Sequence, residues 1–143
     1  MNNKLSIKSL LVRPEISTLI MFIIIMLGFS IVSEHFLSAR NIRIVMGITP
    51  EYIIVAIGIA ILMISGEFDL SVGSVFALVP MTIVQLTHQG VPPWIAITLG
   101  LMIGMIVGFV NGFITLKFGM PSFIATLGML YIARSLTTVA TGG

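Results

Sequence analysis

Five apolar stretches follow one another along almost the whole chain, and they limit what it can fold into more than any other feature. A helix needs about 20 mostly apolar residues to cross the hydrocarbon core of a bilayer. The connections between the stretches are short and leave no room for a second, soluble domain. The pattern predicts an all-α polytopic membrane protein with about five transmembrane helices, near 16–33, 44–65, 70–87, 94–116 and 122–141.

Charge supports the same conclusion. Only 8% of the 143 residues are charged, whereas soluble domains carry about 25%. So few charges argue against a soluble enzyme, and the net charge of +2 forms no basic patch for nucleic acid. The sequence has no P-loop motif for a nucleotide and no metal-ligand spacing. We therefore expect no catalytic residues, no metal site and no cofactor in this chain.

Basic residues near the ends of the apolar stretches indicate the orientation. The first stretch follows basic residues, but no A-x-A-like cleavage site comes after it, so we interpret it as a retained span rather than a signal peptide. The bias predicts a cytoplasmic segment at 1–15 and a chain end outside the cell. One side would then hold Lys4, Lys8, Arg13 and Lys117, and the other Arg40 and Arg43.

The segment 66–74 predicts a joint between two helices. Gly66 suits the left-handed conformation that ends a helix, and Asp69 or Ser71 can cap the helix that follows from Leu70. Two interpretations remain open. The joint is either an ordinary capped turn at the cytoplasmic surface or a break inside the protein beside a solute path, where irregular backbone lines a cavity.

A second interruption precedes the joint. Thr49 and Pro50 are typical of a capped helix start, because proline lacks the N–H that is unpaired there anyway. A helix over 50–65 would be about 24 Å long, which is shorter than a hydrocarbon core of about 30 Å. Short, interrupted apolar segments are typical of the binding region of transporters.

The fourth stretch carries a signal for helix packing. Glycines that recur every four residues lie on one side of a helix and let a second backbone approach closely. Asn111 lies beside this glycine stripe and can donate a hydrogen bond to a neighbouring helix. We expect a structural helix–helix contact along Gly100, Gly104, Gly108 and Gly112.

Arg134 interrupts the fifth stretch. An arginine within the membrane costs about 3 kcal/mol on insertion scales. Its side chain either extends to the outer interface or pairs with an acid inside the bundle, and Asp69, Glu67 and Glu51 are the available acids. Whether Asp69 caps a helix or pairs with Arg134 therefore stays open.

Four stretches together resemble one family. The segment G-E-F-D-L-S-V-G-S at 66–74 resembles the G-x-D-L-S-V-G-S signature of sugar-type ABC importer permeases, the ribose, xylose, arabinose and galactoside group. Further similarity, in order and spacing, lies in F-L-S-A-R-N at 36–41, G-F-V-N-G at 108–112 and P-S-F-I-A-T-L-G at 121–128. The chain departs from the pattern at Glu67-Phe68, where Gly-Ile is commoner, and at Ser135, where Gly is usual.

The resemblance implies a subunit of the bacterial inner membrane with a cytoplasmic N-terminus and no ATPase site of its own. The implied partners are a second permease subunit, a cytoplasmic ABC ATPase that uses ATP, an extracytoplasmic sugar-binding protein and membrane lipid, but no nucleic acid. Such permeases are longer than this chain, so residues 16–143 are expected to form the N-terminal half of a permease domain.

The function expected from the resemblance is ATP-driven import of a sugar or sugar-like solute. The alternative is a non-transporting membrane remnant, or a small assembly protein that pairs helices through the glycine stripe. The solute stays open, and so does the choice between a homodimer and a heterodimer of permeases. The residues expected to line the solute path or to hold the joint are Glu67, Asp69, Ser71, Gly73, Asn111 and Arg134.

Overall fold

The chain forms α-helices joined by short turns. A computed structural model describes residues 13–142, and that range contains no strand. The expected cytoplasmic segment 1–15 lies outside the described residues except for its end. The prediction of an all-α membrane protein with a break after the second helix is confirmed. The helices are α1 (Pro14–Val32), α2 (Ala39–Ile64), α3 (Val72–His88), α4 (Pro93–Phe118) and α5 (Ser122–Thr141).

Four of these helices, α1, α2, α4 and α5, are long and apolar enough to cross a membrane. Helix α3 is also apolar but has only 17 residues. It is about 26 Å long at 1.5 Å per residue, somewhat less than the hydrocarbon core of about 30 Å. Neither α1 nor α2 contains a buried residue, which suits helices whose surroundings are lipid or further protein.

Two compact units divide the chain, Met1–Ile54 and Val55–Gly143. In the first unit, a turn after α1 leads into α2. The Asn41 N–H donates to the Ser38 hydroxyl at 3.3 Å, and the Asn41 side-chain amide donates to the Phe36 carbonyl at 2.7 Å. These bonds satisfy polar groups at the beginning of α2.

Helix α2 corrects one prediction. It runs without a break from Ala39 to Ile64, with Pro50 inside it, so the expected helix start at Pro50 is wrong. The Thr49 hydroxyl donates to the Val45 carbonyl at 2.6 Å instead of capping a new helix. Proline removes only one backbone donor, and lipid cannot satisfy the several groups that a full break would free. The helix therefore continues through Pro50.

The second unit has a core of three helices, because α3, α4 and α5 all pack on one another. Small side chains at the contacts let the helices approach closely. The side-chain amide of Gln85 on α3 donates to the Ala140 carbonyl on α5 and links the two helices. The buried apolar residues are Leu78, Ala96, Ala125 and Ala133.

Candidate functional site

The joint between α2 and α3 occupies residues 65–71. Gly66 ends α2 with a φ of +85°, a left-handed conformation that glycine adopts without strain. The Gly66 N–H donates to the Met63 carbonyl at 3.0 Å, and the Glu67 N–H donates to the Leu62 carbonyl at 3.3 Å. These two bonds form a Schellman motif. The prediction that Gly66 ends the helix is confirmed.

Hydroxyl groups of α5 hold the joint from one side. The Phe68 N–H donates to Ser122 Oγ at 3.0 Å, and the Leu70 N–H donates to Thr126 Oγ1 at 3.1 Å. Thr126 is buried, and its own hydroxyl donates to the Ser122 carbonyl at 2.8 Å. Side chains of α5 thus satisfy backbone donors that the break between the helices leaves free.

Asp69 binds the residue that precedes α3. Its Oδ1 accepts hydrogen bonds from the Ser71 N–H at 2.7 Å and from the Ser71 hydroxyl at 2.6 Å. Helix α3 begins at Val72 and not at Leu70, and Ser71 at its N-cap makes no side-chain capping bond. The Ser71 hydroxyl instead donates to Asp69 and accepts from the side chain of Asn111. Asp69 therefore acts locally, on the residue just before the helix.

Asn111 connects α4 to the joint. Its Nδ2 donates to Ser71 Oγ at 3.0 Å, so a chain of hydrogen bonds runs from Asn111 through Ser71 to Asp69. Ser71 is fully buried, and Asn111 is 5% exposed. In such surroundings hydrogen bonds are stronger than in water. Within the described part of the chain, Asn111 Oδ1 is buried without a hydrogen-bond partner.

Two expected site residues lie apart from this chain of hydrogen bonds. Arg134 is exposed on α5, and among residues 13–142 it forms no ion pair with Asp69 or Glu67. Gly73 is exposed on α3, with no atom within 4 Å of the position a Cβ would take. Among the described residues, Asp69 is thus bonded to Ser71 and not to Arg134.

The glycine stripe of α4 has two different halves. A Cβ on Gly100 would lie 2.6 Å from Ile83 Cγ1, and a Cβ on Gly104 would make ordinary contact with α3. Gly108 and Gly112 have no described atom within 4 Å of that position. The first half of the stripe therefore packs against α3, and the second half does not.

Two cavities meet at the joint. The first, called the joint cavity from here on, has a volume of about 460 Å³. The second has about 340 Å³, lies along α3 and α4, and has a mostly apolar lining. Asp69 and Gly108 line both cavities. The joint cavity is bordered by Glu67, Asp69, Gly108, Asn111, Gly112 and Thr126, among others.

Ser122 and Thr126 were not among the expected site residues. The sequence pattern that indicates them is a pair of hydroxyl residues four positions apart at the start of an apolar helix, which places both side chains on one face of that helix. The sequence does not say that this face packs against the joint, because that contact joins residues more than fifty positions apart.

Comparison with known proteins gives the family. The family described as branched-chain amino acid transport system / permease component matches residues 41–143. The ribose import permease protein of Bacillus subtilis is 37% identical over 130 residues, which cover 91% of this chain and 39% of the relative. The xylose/arabinose import permease protein of Sulfolobus acidocaldarius is 30% identical over 138 residues, covering 92% of this chain and 39% of the relative.

The ribose import permease protein of Escherichia coli K12 is 30% identical over 129 residues, covering 90% of this chain and 40% of the relative. The chain thus spans about two fifths of the length of these relatives. No solved structure matches it with significance. The matched region contains the joint, the packed helices α3 to α5 and all of α2 except its first two residues. The chain is a multi-pass membrane protein and belongs to this family of transport-system permease components.

Proposed function

We propose that the chain acts in a permease subunit that moves a sugar or sugar-like solute across the bacterial inner membrane. Membership of the permease family supports a transport role. The relatives whose names mention ribose, xylose and arabinose support a sugar as the solute. The sequence similarity to them extends over nine tenths of this chain.

One observation of the structure carries the proposal. In a chain that is otherwise apolar, the joint gathers buried polar groups from α4, α5 and the break itself, next to two cavities. Irregular backbone at membrane depth is tolerated where it is buried in protein or lines a water-filled cavity. A broken helix at a cavity is also the usual form of a transporter's binding region. This favours a solute path over a plain surface turn.

The energy for transport would come from a partner. The sequence has no P-loop motif, so we propose that a cytoplasmic ABC ATPase hydrolyses ATP, while this chain performs no bond chemistry and holds no cofactor. A second permease subunit and an extracytoplasmic sugar-binding protein complete the proposed assembly. The chain would contribute path-lining and packing surfaces, with lipid around it and its N-terminus in the cytoplasm.

The test is a deletion of the gene in the organism that carries it. Uptake of radiolabelled ribose, xylose and leucine is measured in the parent strain, the deletion strain and the deletion strain that carries the gene on a plasmid. We expect the deletion to abolish uptake of at least one of the two sugars and to leave leucine uptake unchanged. The plasmid should restore what was lost.

The outcomes separate three functions. Loss of leucine uptake alone would contradict the proposal and assign the chain to amino-acid transport, the solute class in the family's description. Unchanged uptake of all three solutes would favour the alternative of a non-transporting helix-pairing protein. That alternative has its own support in the close approach of α4 to α3 at Gly100.

A further inference from the structure

The turn between α1 and α2 borders a cavity for which the proposed transport function gives no role. It is called the turn cavity from here on. Its lining residues lie between Ser33 and Ile44, so the cavity belongs wholly to the first unit, Met1–Ile54. It shares no lining residue with the joint cavity. Its volume of about 470 Å³ is in the range of about 300–1,000 Å³ that is usual for small-molecule sites. The cavity is therefore large enough for a small ligand.

Contacts within the chain fix the walls of the turn cavity. The Ser38 hydroxyl donates to the His35 carbonyl at 2.7 Å. The Phe36 N–H donates to the Ser33 carbonyl at 3.1 Å. The Phe36 ring stacks on Phe29 of α1, with 5.7 Å between the ring centroids. Because these walls are already ordered, a ligand that binds there restricts few further side chains, which lowers the entropic cost of binding.

Several hydrogen-bond donors on the cavity wall lack partners. The hydroxyl of Ser33, the imidazole of His35 and the guanidinium of Arg40 have no hydrogen bond or ion pair within residues 13–142. An arginine has five N–H donors and a permanent positive charge. Among the described residues that line the cavity there is no Asp or Glu. The wall therefore favours an anionic ligand over a cationic one.

The position of the cavity favours a lipid as the source of that anion. It lies where α1 ends and α2 begins, and both helices are long and apolar enough to cross a membrane. The turn therefore lies near the level of the lipid headgroups. Ile31 and Val32, directly before the lining residues, are each 84% exposed. These side chains can contact acyl chains, which a free phosphate ion lacks.

The charges around the cavity favour a headgroup with a net negative charge. Arg43 follows Arg40 by three residues, so both lie on the same face of α2, although Arg43 is outside the cavity lining. Glu34, the acid of the turn, is also outside the lining. Two arginines against one acid leave a positive excess, which attracts anionic lipids. Asn41 Oδ1, for which no bond is found in residues 13–142, can accept from a headgroup hydroxyl.

We infer that the turn cavity binds the phosphate group of an anionic phospholipid, with the Arg40 guanidinium on the phosphate oxygens. The planar guanidinium matches two oxygens of one phosphate, and the Ser33 hydroxyl and the His35 imidazole supply further donors. The inference goes beyond transport and holds whichever solute the chain moves. It predicts one tightly held lipid where α1 meets the turn, distinct from the lipid that surrounds the helices.

The test identifies the lipids that stay bound to the purified chain. The chain is reconstituted in nanodiscs of phosphatidylcholine that contain minor, equal shares of phosphatidylglycerol and phosphatidylethanolamine. Native mass spectrometry then detects the lipids retained after the disc is removed. We expect one retained phosphatidylglycerol per chain, in preference to phosphatidylethanolamine, whose headgroup has no net charge. Ammonium phosphate in large excess should not displace it, because a free ion lacks the acyl contacts.

Two arginine variants separate a specific site from general attraction. Their apparent affinity is obtained by varying the phosphatidylglycerol fraction of the discs. Arg40→Gln should weaken binding about tenfold, the usual effect of losing a hydrogen bond to a charged group. The matched control is Arg43→Gln, which removes the same charge from the same helix but lies outside the cavity lining. It should weaken binding by only about twofold, as expected for an exposed charge.

A third variant removes a neutral donor. The Ser33 hydroxyl has no partner in residues 13–142, so Ser33→Ala should leave the fold intact and weaken binding about threefold. Circular dichroism checks that all variants remain helical, and Ser33→Ala decides alone if Arg40→Gln does not. Equal retention of the two minor lipids, equal losses in Arg40→Gln and Arg43→Gln, or displacement by phosphate would each overturn the inference. Unchanged binding in both Arg40→Gln and Ser33→Ala would also overturn it and leave the turn to another occupant, such as an acidic protein surface.

Discussion

Ser71 is the residue through which the joint is fixed. A serine hydroxyl has one donor and can accept two hydrogen bonds. Its proton goes to Asp69 Oδ1, so the bond with Asn111 must use the amide nitrogen as donor. Among residues 13–142, that assignment leaves Asn111 Oδ1 as the atom without a partner, because a flipped amide would place two acceptors against each other. The orientation of Asn111, and with it the position of its Oδ1, follows from Asp69.

Replacement of Asp69 tests this arrangement. Asp69→Ala leaves the N–H and the hydroxyl of the fully buried Ser71 without their acceptor. We expect a loss of about 1–3 kcal/mol of stability, the cost of an unsatisfied buried donor. Asp69→Asn keeps an acceptor oxygen and should lose less than half as much. The free energy of unfolding is measured in mixed detergent micelles. Equal losses in the two variants would show that the charge, not the acceptor, holds Ser71.

Thr126 provides a second test, on the other side of the joint. Thr126→Val removes the acceptor of the Leu70 N–H in a site that is 2% exposed. We expect it to cost about 1–3 kcal/mol. Thr137→Val is the matched control, because Thr137 lies on the same helix and, in the part of the chain that the structure describes, its hydroxyl bonds only to the Ala133 carbonyl of its own helix. The control should change stability by no more than about 0.5 kcal/mol. Similar losses in both variants, measured by detergent unfolding, would remove Thr126 from the joint.

At the scale of the elements, the close approach of α3 and α4 depends on Gly100. An added Cβ would lie 2.6 Å from Ile83 Cγ1 and 2.9 Å from its Cδ1. Isoleucine has little χ1 freedom in a helix, so Ile83 cannot move aside without cost. Gly100→Ala should therefore push the two helices apart and cost about 1–3 kcal/mol from overpacking.

Gly112→Ala is the control for that substitution, since its Cβ would meet no described atom within 4 Å. Alanine is favoured over glycine in a helix by about 1 kcal/mol at either site, so the difference between the two variants isolates the packing term. We expect Gly100→Ala to unfold at a lower detergent fraction than Gly112→Ala, and Ile83→Ala to recover part of the loss in the double variant. Independent effects of the two substitutions would mean that Gly100 and Ile83 do not touch.

The helices also show which structural features can be predicted from the sequence. Apolar length predicts the helices, and Gly66 marks the end of α2, because both depend on local chemistry. The prediction of a helix start at Pro50 fails for a physical reason. Thr49 and Pro50 have the local pattern of a helix start, but in apolar surroundings a continuous helix is more stable than a break that leaves backbone groups without hydrogen bonds. The roles of Ser122 and Asn111 depend on which faces of α4 and α5 meet the joint. The spacing of residues along one helix shows which side chains share a face, but it does not show which part of the protein packs against that face.

The two units of the molecule differ in how much of their side-chain surface they bury. In Val55–Gly143, three helices bury a small core and a polar joint. In Met1–Ile54, α1 has no buried residue, although most of its side chains are apolar. A surface of this kind is stable in a membrane, where lipid takes the place of a core. Assays that depend on the lipid contacts of α1 therefore belong in bilayers or nanodiscs.

Membrane orientation is a property of the whole molecule, and the chain allows a clean test because it contains no cysteine. His35 lies in the turn between α1 and α2, and Met120 lies in the turn between α4 and α5. Lys117 in the last turn of α4 and the basic residues before α1 favour the cytoplasm for the second turn and the opposite side for the first. A single cysteine at either position then reports its side of the membrane.

We expect a membrane-impermeant maleimide to label His35→Cys in intact spheroplasts and to label Met120→Cys only after permeabilisation. The expected contrast is large, because the reagent reaches one face of the membrane and not the other. Labelling of Met120→Cys alone in intact spheroplasts would reverse the orientation, and equal labelling of both would contradict an odd number of crossings between the two turns. Because α2, α3 and α4 lie between these positions, that last result would mean that one of the three does not cross. Helix α3, which is only 17 residues long, would be the first to examine.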